Sequence, residues 1–360
     1  MIDKVTSLYV HVPFCSSICS YCDFAKVLYF KDLANDYLKS LEKEILLYKI
    51  DKPLKTVYIG GGTPTSLDDE QFSFLLSLLD PYIDENILEY TVEANPESLT
   101  LNKLKIMKEH HVNRLSLGVE STDDRILKYI GRQYTFEDVK KVVGLAKKEG
   151  FDNISIDLIL GLPQVSNEML LKDINNILSL DINHISAYSL TVHENTKFYL
   201  EGIKEKDDDE MREKYDIINK ILENHGYLHY EISSWTKDDK FSKHNLVYWK
   251  DEQYYGLGLN ASGYINNIRY TNTRNLYKYN KGLYKDYEEV VSKEDDLEYY
   301  LMLNLRTIFG IDLDEFKEKF GFDFLNRYEL NEYFVIENNH VHLTYPGMMI
   351  LDNILINLLD

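Results

Sequence analysis

Tyr9-Val-His-Val-Pro-Phe-Cys15-Ser-Ser-Ile-Cys19-Ser-Tyr-Cys22 is the stretch on which the fold turns. The run Ser7 to Val12 reads as a β-strand, and the cysteines follow in the loop that leaves it. They are the chain's only three, all within eight residues. An odd count so tightly grouped is not a disulfide framework. Thiolates spaced C-x3-C-x2-C in a loop can converge on one iron–sulfur cluster and leave one iron without a protein ligand. That vacancy is where a small molecule can bind, as in a catalytic rather than a closed structural metal site. Zinc is the competing reading, with His11 as its fourth ligand.

Working outward, short β-rich runs alternate with amphipathic stretches through residue 225. The strands are expected at Ser7 to Val12, Thr56 to Gly60, Glu89 to Glu93, Arg114 to Val119, Ile154 to Ile159 and Ile185 to Leu190. Helices are expected at 31–50, 68–79, 100–110, 122–149 with a break near Gly131, 167–180 and 208–225. Six strand–helix units, two short of a closed (β/α)8 barrel, predict an open, partial (β/α)6 barrel over 1–225. Residues 226–290, rich in aromatics and punctuated by glycine, read as an irregular extension of that barrel. From 291 to 360 the pattern is helical again, ending in a hairpin and a helix, and predicts a small α-rich end domain.

The 360 residues are 44% hydrophobic and 28% charged, ordinary globular usage, with a formal net charge of −20. That charge opposes attraction to nucleic acid or to an anionic bilayer, so no nucleic-acid partner and at most weak peripheral membrane contact are expected. The first residues lack a basic-then-apolar leader, and no long apolar run is present, which predicts a cytoplasmic protein. The acidic run Asp207 to Glu210 reads as a helix amino-terminal charge cluster. His110, His111, His184, His193, His225 and His229 show no ligand spacing.

The cysteine spacing, with an aromatic at Tyr21, resembles the radical S-adenosylmethionine (SAM) superfamily. The string Tyr9-Val-His-Val-Pro-Phe-Cys15 resembles its oxygen-independent coproporphyrinogen III oxidase-like branch. The likeness extends through GGGTPT, TVEANPE, RLSLGVES, ISIDLILGLP and YEISSW, each at or near the carboxy-terminal end of an expected strand, where such barrels build their sites. It implies a 4Fe-4S cluster on Cys15, Cys19 and Cys22. It further implies SAM bound by Gly61, Gly62 and Thr63 and lined by Glu93, Glu120, Arg132 and Asp157, with Tyr9 and Tyr21 near the adenosyl group. The alternative for the acidic residues is a structural ion pair with Arg132. The chemistry implied is reductive cleavage of the sulfonium carbon–sulfur bond to methionine and a 5′-deoxyadenosyl radical. The end domain resembles the small winged-helix-like one of the same branch.

Two features depart from the oxidases. Phe24 stands where their further cysteine falls, and only eight residues precede Tyr9, where they carry an extension. The segment His244-Asn-Leu-Val-Tyr-Trp249 instead resembles the H-N-x-x-Y-W string of the HemW-like heme chaperones. A neutral imidazole is a common axial ligand of heme iron, and Tyr and Trp offer flat apolar surface. This likeness implies a chaperone that binds heme at His244 and passes it to acceptor apoproteins of the respiratory chain, with a homodimer as a family-level expectation. The alternatives are a radical enzyme acting on coproporphyrinogen III or another tetrapyrrole, and an iron or redox sensor.

Overall fold

The computed structural model describes residues 4–359. Nine strands form the main sheet: β1 (Ser7–Val12), β2 (Thr56–Gly61), β3 (Glu89–Ala94), β4 (Arg114–Glu120), β5 (Ile154–Leu160), β6 (His184–Ser189), β7 (Leu228–Glu231), β8 (Ser234–Thr236) and β9 (Tyr255–Gly258). Their order is β9-β1-β2-β3-β4-β5-β6-β8-β7. Every pairing from β9 to β6 is parallel, whereas β8 runs antiparallel to both of its neighbours.

The six strand–helix units are present, as the partial-barrel reading required. The helices that follow the strands are Lys31–Leu47, Asp69–Ser77, Leu101–Glu109, Phe136–Lys148, Asn167–Leu178 and Asp208–Asn224. The stretch read as 122–149 is two helices, Asp124–Tyr129 and Phe136–Lys148, with Gly131 at a positive φ of 91° between them. Asp207 caps the last of the six by accepting from the Glu210 backbone N–H.

What closes these strands into a barrel wall is a strict period of two. Ser7, Tyr9 and His11; Thr56 and Tyr58; Glu89, Thr91 and Glu93; Arg114 and Ser116; Ser155 and Asp157; and His184, Ser186 and Tyr188 alternate with apolar neighbours. The alternating apolar set, including Leu8, Val57, Val92, Leu117, Ile156 and Ala187, is fully or nearly fully buried in one core with the helices. Each buried Val, Leu or Ile of this set contributes roughly 1.5–3 kcal/mol by burial. The polar set faces the interior, so the barrel is oily outside its strands and hydrophilic within them.

The segment 226–290 is more regular than the sequence suggested. It supplies the β7–β8 hairpin at one edge of the sheet, crosses beneath the barrel, and returns at the other edge as β9, a seventh parallel strand beside β1. β9 lies in the glycine-punctuated stretch read as irregular; Gly256 is needed because a Cβ there would fall 1.8 Å from the Ser262 carbonyl oxygen. A three-stranded antiparallel sheet, Ser262–Ile265, Ile268–Asn272 and Lys285–Val290, follows.

The crossing is made by the short helix Lys243–Trp249, whose own cap residue Ser242 makes no side-chain cap bond. Glu89, at the base of β3, does this instead: its carboxylate accepts from the backbone N–H of Lys243 at 2.7 Å and of His244 at 3.0 Å.

The end domain has its own apolar core, drawn from Tyr300 to Leu355. Its helices Lys293–Asn304, Leu313–Phe320 and Leu351–Leu359 surround a three-stranded sheet of Ile311–Asp312, His340–Leu343 and Phe334–Glu337. It is tied to the barrel base where Ile308 N–H donates to the Tyr230 carbonyl at 3.0 Å and the Arg306 guanidinium lies 4.6 Å over the Trp249 ring. Among the described residues no helix is long and apolar enough to cross a membrane.

Candidate functional site

The loop after β1 is held from both sides. Phe14–Cys15 pairs in parallel with Val27–Leu28, Ser20 N–H donates to the Ile130 carbonyl, and Phe198 N–H donates to the Ser20 carbonyl, both at 2.9 Å. Cys15, Cys19 and Cys22 thereby line one wall of a cavity of about 420 Å³ at the carboxy-terminal end of the strands. Cys15 is buried and receives the Thr63 hydroxyl on its sulfur at 3.8 Å. Burial pushes the Cys15 thiol up to about 11, against the Thr63 hydrogen bond, and raises Cys19 against the Arg132 charge. Thiolates here therefore call for positive charge beside them, which the iron of a cluster supplies. The zinc reading needed His11 as its fourth ligand. His11 is committed elsewhere, with Nδ1 on Tyr9 Oη and Nε2 on the Ala25 carbonyl, both at 3.0 Å.

The opposite wall is built from the strand ends. Glu93 Oε2 accepts from Gly61 N–H at 3.0 Å and Glu93 Oε1 from Tyr58 Oη at 2.8 Å. Gly61 sits at φ +109°, and a Cβ on it would fall 2.5 Å from the His11 ring. At the end of β4 the register slips by one residue, leaving Glu120 at φ 66°, a conformation uncommon for a side chain of this kind. The slip turns Glu120 into the cavity, where its carboxylate pairs with Arg132, itself donating to Tyr21 Oη at 2.9 Å. The ion pair weighed as the alternative thus exists, and it lies in the cavity wall.

Asp157 accepts from Ser116 Oγ at 3.0 Å, and burial, with Glu120 and Glu93 nearby, pushes its carboxyl up to about 7. Burial likewise raises Glu93, against its hydrogen bonds to Tyr58 and Gly61. Two buried polar atoms at this end, Glu97 Oε2 and Arg132 Nε, lack hydrogen-bond partners. Several carboxylates around one guanidinium leave the cavity short of positive charge. The chemistry of SAM fits that deficit: its ammonium and sulfonium are cations, and its ribose hydroxyls are donors that acidic acceptors can take.

Of the residues singled out from sequence, Cys15, Cys19, Cys22, Tyr21, Gly61, Gly62, Thr63, Glu93, Glu120, Arg132 and Asp157 all line this cavity. Tyr9 does not; it faces a second, side cavity of about 280 Å³. Tyr58, Asn95, Ser116 and Tyr188 line the main cavity and were not singled out. The signal for Tyr58, Ser116 and Tyr188 was their strand parity, shared with Glu93 and Asp157.

His244 lies at the other end of the barrel from the cysteines, fully buried under β2. Its Nδ1 bonds Thr56 Oγ1 at 2.9 Å and its Nε2 bonds Tyr248 Oη at 2.8 Å. Burial, with Arg114 nearby, lowers the imidazole to about 3, so it is neutral. The sequence reading offered His244 as an axial heme ligand; in this arrangement both ring nitrogens are engaged. Trp249, offered as porphyrin surface, is covered by Arg306.

A model of the radical SAM superfamily matches residues 9–177, and one of the HemN C-terminal domain matches 291–350. The heme chaperone HemW of Lactococcus lactis is 38% identical, over 98% of this chain and 97% of that protein. The heme chaperone HemW of Bacillus subtilis is 39% identical, over 96% of each.

The chain belongs to the HemW family.

Among solved structures, Escherichia coli coproporphyrinogen III oxidase (HemN), described as a radical SAM enzyme, superposes with a TM-score of 0.86 at 21% identity, covering 99% of this chain and 90% of that one. That likeness shows the fold: partial barrel, extension and end domain together. In this HemW-family chain the H-N-x-x-Y-W string falls on the helix that plugs the barrel base, and the C-x3-C-x2-C string on the loop at its opposite end.

Proposed function

We propose that this chain is a cytoplasmic heme chaperone. It holds a 4Fe-4S cluster on Cys15, Cys19 and Cys22, binds SAM in the 420 Å³ cavity beside them, and delivers heme to acceptor apoproteins of the respiratory chain. The observation that carries the reading is the near full-length match to proteins named as heme chaperones, with the three cysteines and the acidic residues lining one cavity. Residues 1–225 form the radical SAM unit, 226–290 carry the base-plugging segment, and 291–360 form the end domain.

A bound cluster would supply an electron-transfer centre with one open iron. The protein's own part is positional. Gly61 and Gly62, having no side chains, let a ligand approach the strand end closely, Glu93 and Asp157 take hydrogen bonds from an ammonium or ribose hydroxyl, and Arg132 fixes Glu120 and Tyr21 in place. Burial keeps water from these contacts and strengthens them. A homodimer and cluster-controlled heme release belong to the same reading.

The test is an anaerobic titration of cluster-loaded protein with heme, followed at the Soret band, and then mixing with a heme-free acceptor. Saturable binding near one heme per chain, with transfer to the acceptor, is expected. Absence of specific binding would overturn the reading and leave a radical enzyme acting on a tetrapyrrole as the better account.

A further inference from the structure

Thr63 follows β2, and the likeness to the radical SAM superfamily assigned it to SAM. Its polar groups are engaged elsewhere. The N–H donates to the Phe14 carbonyl at 2.7 Å, the carbonyl accepts from Ser66 N–H at 2.8 Å, and the residue is 3% exposed. Thr63 is also the N-cap of the single-turn 3-10 helix Pro64–Ser66, a position where a threonine hydroxyl ordinarily accepts from a backbone N–H of the first turn, yet its side chain makes no cap bond. The hydroxyl is turned the other way, toward the cysteine loop, and donates to Cys15 Sγ at 3.8 Å. Among the described residues, the other two cysteine sulfurs receive no side-chain donor of this kind. At the Cys15 thiol this bond is the foremost influence opposing burial.

Asn95 sets the direction of that bond. From the end of β3, its Nδ2 donates to Thr63 Oγ1 at 2.9 Å. The amide is oriented by its surroundings: Nδ2 also lies 3.5 Å from Glu97 Oε1, an acceptor, while Oδ1 faces Gly118, where a Cβ would come within 3.0 Å of it. With a donor already on its oxygen, Thr63 keeps its own proton for Cys15. Asn95, Thr63 and Cys15 thus form one directed chain across the ends of β3, β2 and β1, which are neighbours in the sheet. A hydrogen bond to a cluster's sulfur stabilises the state that carries more negative charge, so it favours reduction.

Resting on the cluster reading above, we propose that the Thr63 hydroxyl, aimed by Asn95, raises the reduction potential of the cluster through the Cys15 sulfur, and that it serves the cluster rather than SAM. Thr63 and Asn95 are positioning residues, since both act through Cys15.

The experiment is a redox titration of anaerobically reconstituted protein without SAM, followed by electron paramagnetic resonance of the reduced cluster, in wild type, Thr63→Val, Thr63→Ser, Asn95→Ala and the Thr63→Val, Asn95→Ala double variant. Thr63→Val keeps the branched shape and removes the donor. Its reduced-to-oxidised ratio at a fixed potential is expected to fall about tenfold, which for a one-electron couple is a midpoint about 59 mV lower. Thr63→Ser retains the hydroxyl and should stay within about twofold of wild type. Asn95→Ala should fall between wild type and Thr63→Val, and the double variant should match Thr63→Val, because Asn95 acts only through the hydroxyl. SAM affinity of the oxidised protein, measured by calorimetry, should change by less than about twofold in Thr63→Val. An unchanged potential in Thr63→Val overturns the proposal, and a fall in SAM affinity alongside it returns the hydroxyl to SAM. Additive effects in the double variant would remove Asn95 from the chain. If wild type takes up no iron, the cluster reading itself falls. Iron and sulfide content and circular dichroism of each variant separate a lost cluster from a shifted one. If Thr63→Val does not load, Asn95→Ala, which leaves Thr63 in place, decides the question by the same titration.

Discussion

The His244 imidazole lies against the ring of Tyr58, with centroids 5.5 Å apart and planes inclined by 32°. Tyr58 in turn reaches up the barrel to Glu93. The base helix and the main cavity, at opposite ends of the interior, are therefore two side chains apart.

Removing the Tyr58 hydroxyl should be felt at the proposed SAM site. In Tyr58→Phe, Glu93 keeps its bond from Gly61 but loses the one at 2.8 Å. Hydrogen bonds to a charged group contribute roughly 1.5–3 kcal/mol, so SAM affinity should fall about tenfold or more, with cluster iron content unchanged. Calorimetric titration under anaerobic conditions checks this, and unchanged affinity would remove Tyr58 from the site.

Gly60→Ala tests the same carboxylate sterically. A Cβ at Gly60 would stand 2.6 Å from the Glu93 carboxyl carbon, and that carboxyl, the end of a flexible side chain, must move. The variant should fold and hold iron as wild type does while SAM binding weakens at least tenfold.

Asp157 predicts a pH dependence. Its carboxyl is held at about 7 by burial first and by Glu120 and Glu93 next. A folded-state value above the ordinary one means that the neutral form is favoured. Its contribution to stability is fully present below about pH 4 and is lost as pH rises through about 7. A displacement of that size corresponds to roughly 4 kcal/mol. Ligand-free protein should therefore melt at a lower temperature at pH 8 than at pH 6, and Asp157→Asn should flatten the difference. Because a cationic ligand favours the carboxylate, SAM affinity should rise over the same interval in wild type only. A flat wild-type profile would show that Asp157 does not titrate there.

Glu89→Ala should destabilise the base. It strips the acceptor from the backbone N–H groups of Lys243 and His244 and a negative charge from the buried Arg114. A loss of about 2–4 kcal/mol in equilibrium urea unfolding is expected, against little change for the exposed Glu85→Ala.

The parts of the molecule legible in the sequence were those set by local pattern. The strand run Ser7 to Val12 is found as read, the next four barrel strands run one residue further, and the sixth is displaced by one residue at both ends, because a period of two and the turn residues flanking it are local signals. The cavity residues were legible because they sit at strand ends, where chain order alone places them together. The strand Tyr255–Gly258 was not, since its pairing with β1 is set by a partner far away in the chain. For His244 the string showed a ligand type; that Thr56 and Tyr248 occupy its nitrogens depends on where the base helix lands, which no spacing encodes.

The placement of β9 also orders the protein's birth. During synthesis Ser7–Val12 leaves the ribosome early, but the strand that covers its outer edge is Tyr255–Gly258. At ~5–20 residues per second, that edge waits on the order of 10–50 s for its partner. Over that interval β1 exposes unpaired N–H and C=O groups beside apolar side chains, a template for pairing with another chain. Fragments ending before Tyr255 should collect in inclusion bodies, and those ending just past the Lys285–Val290 strand should not. The nascent chain needs protection of its own until its seventh parallel strand arrives.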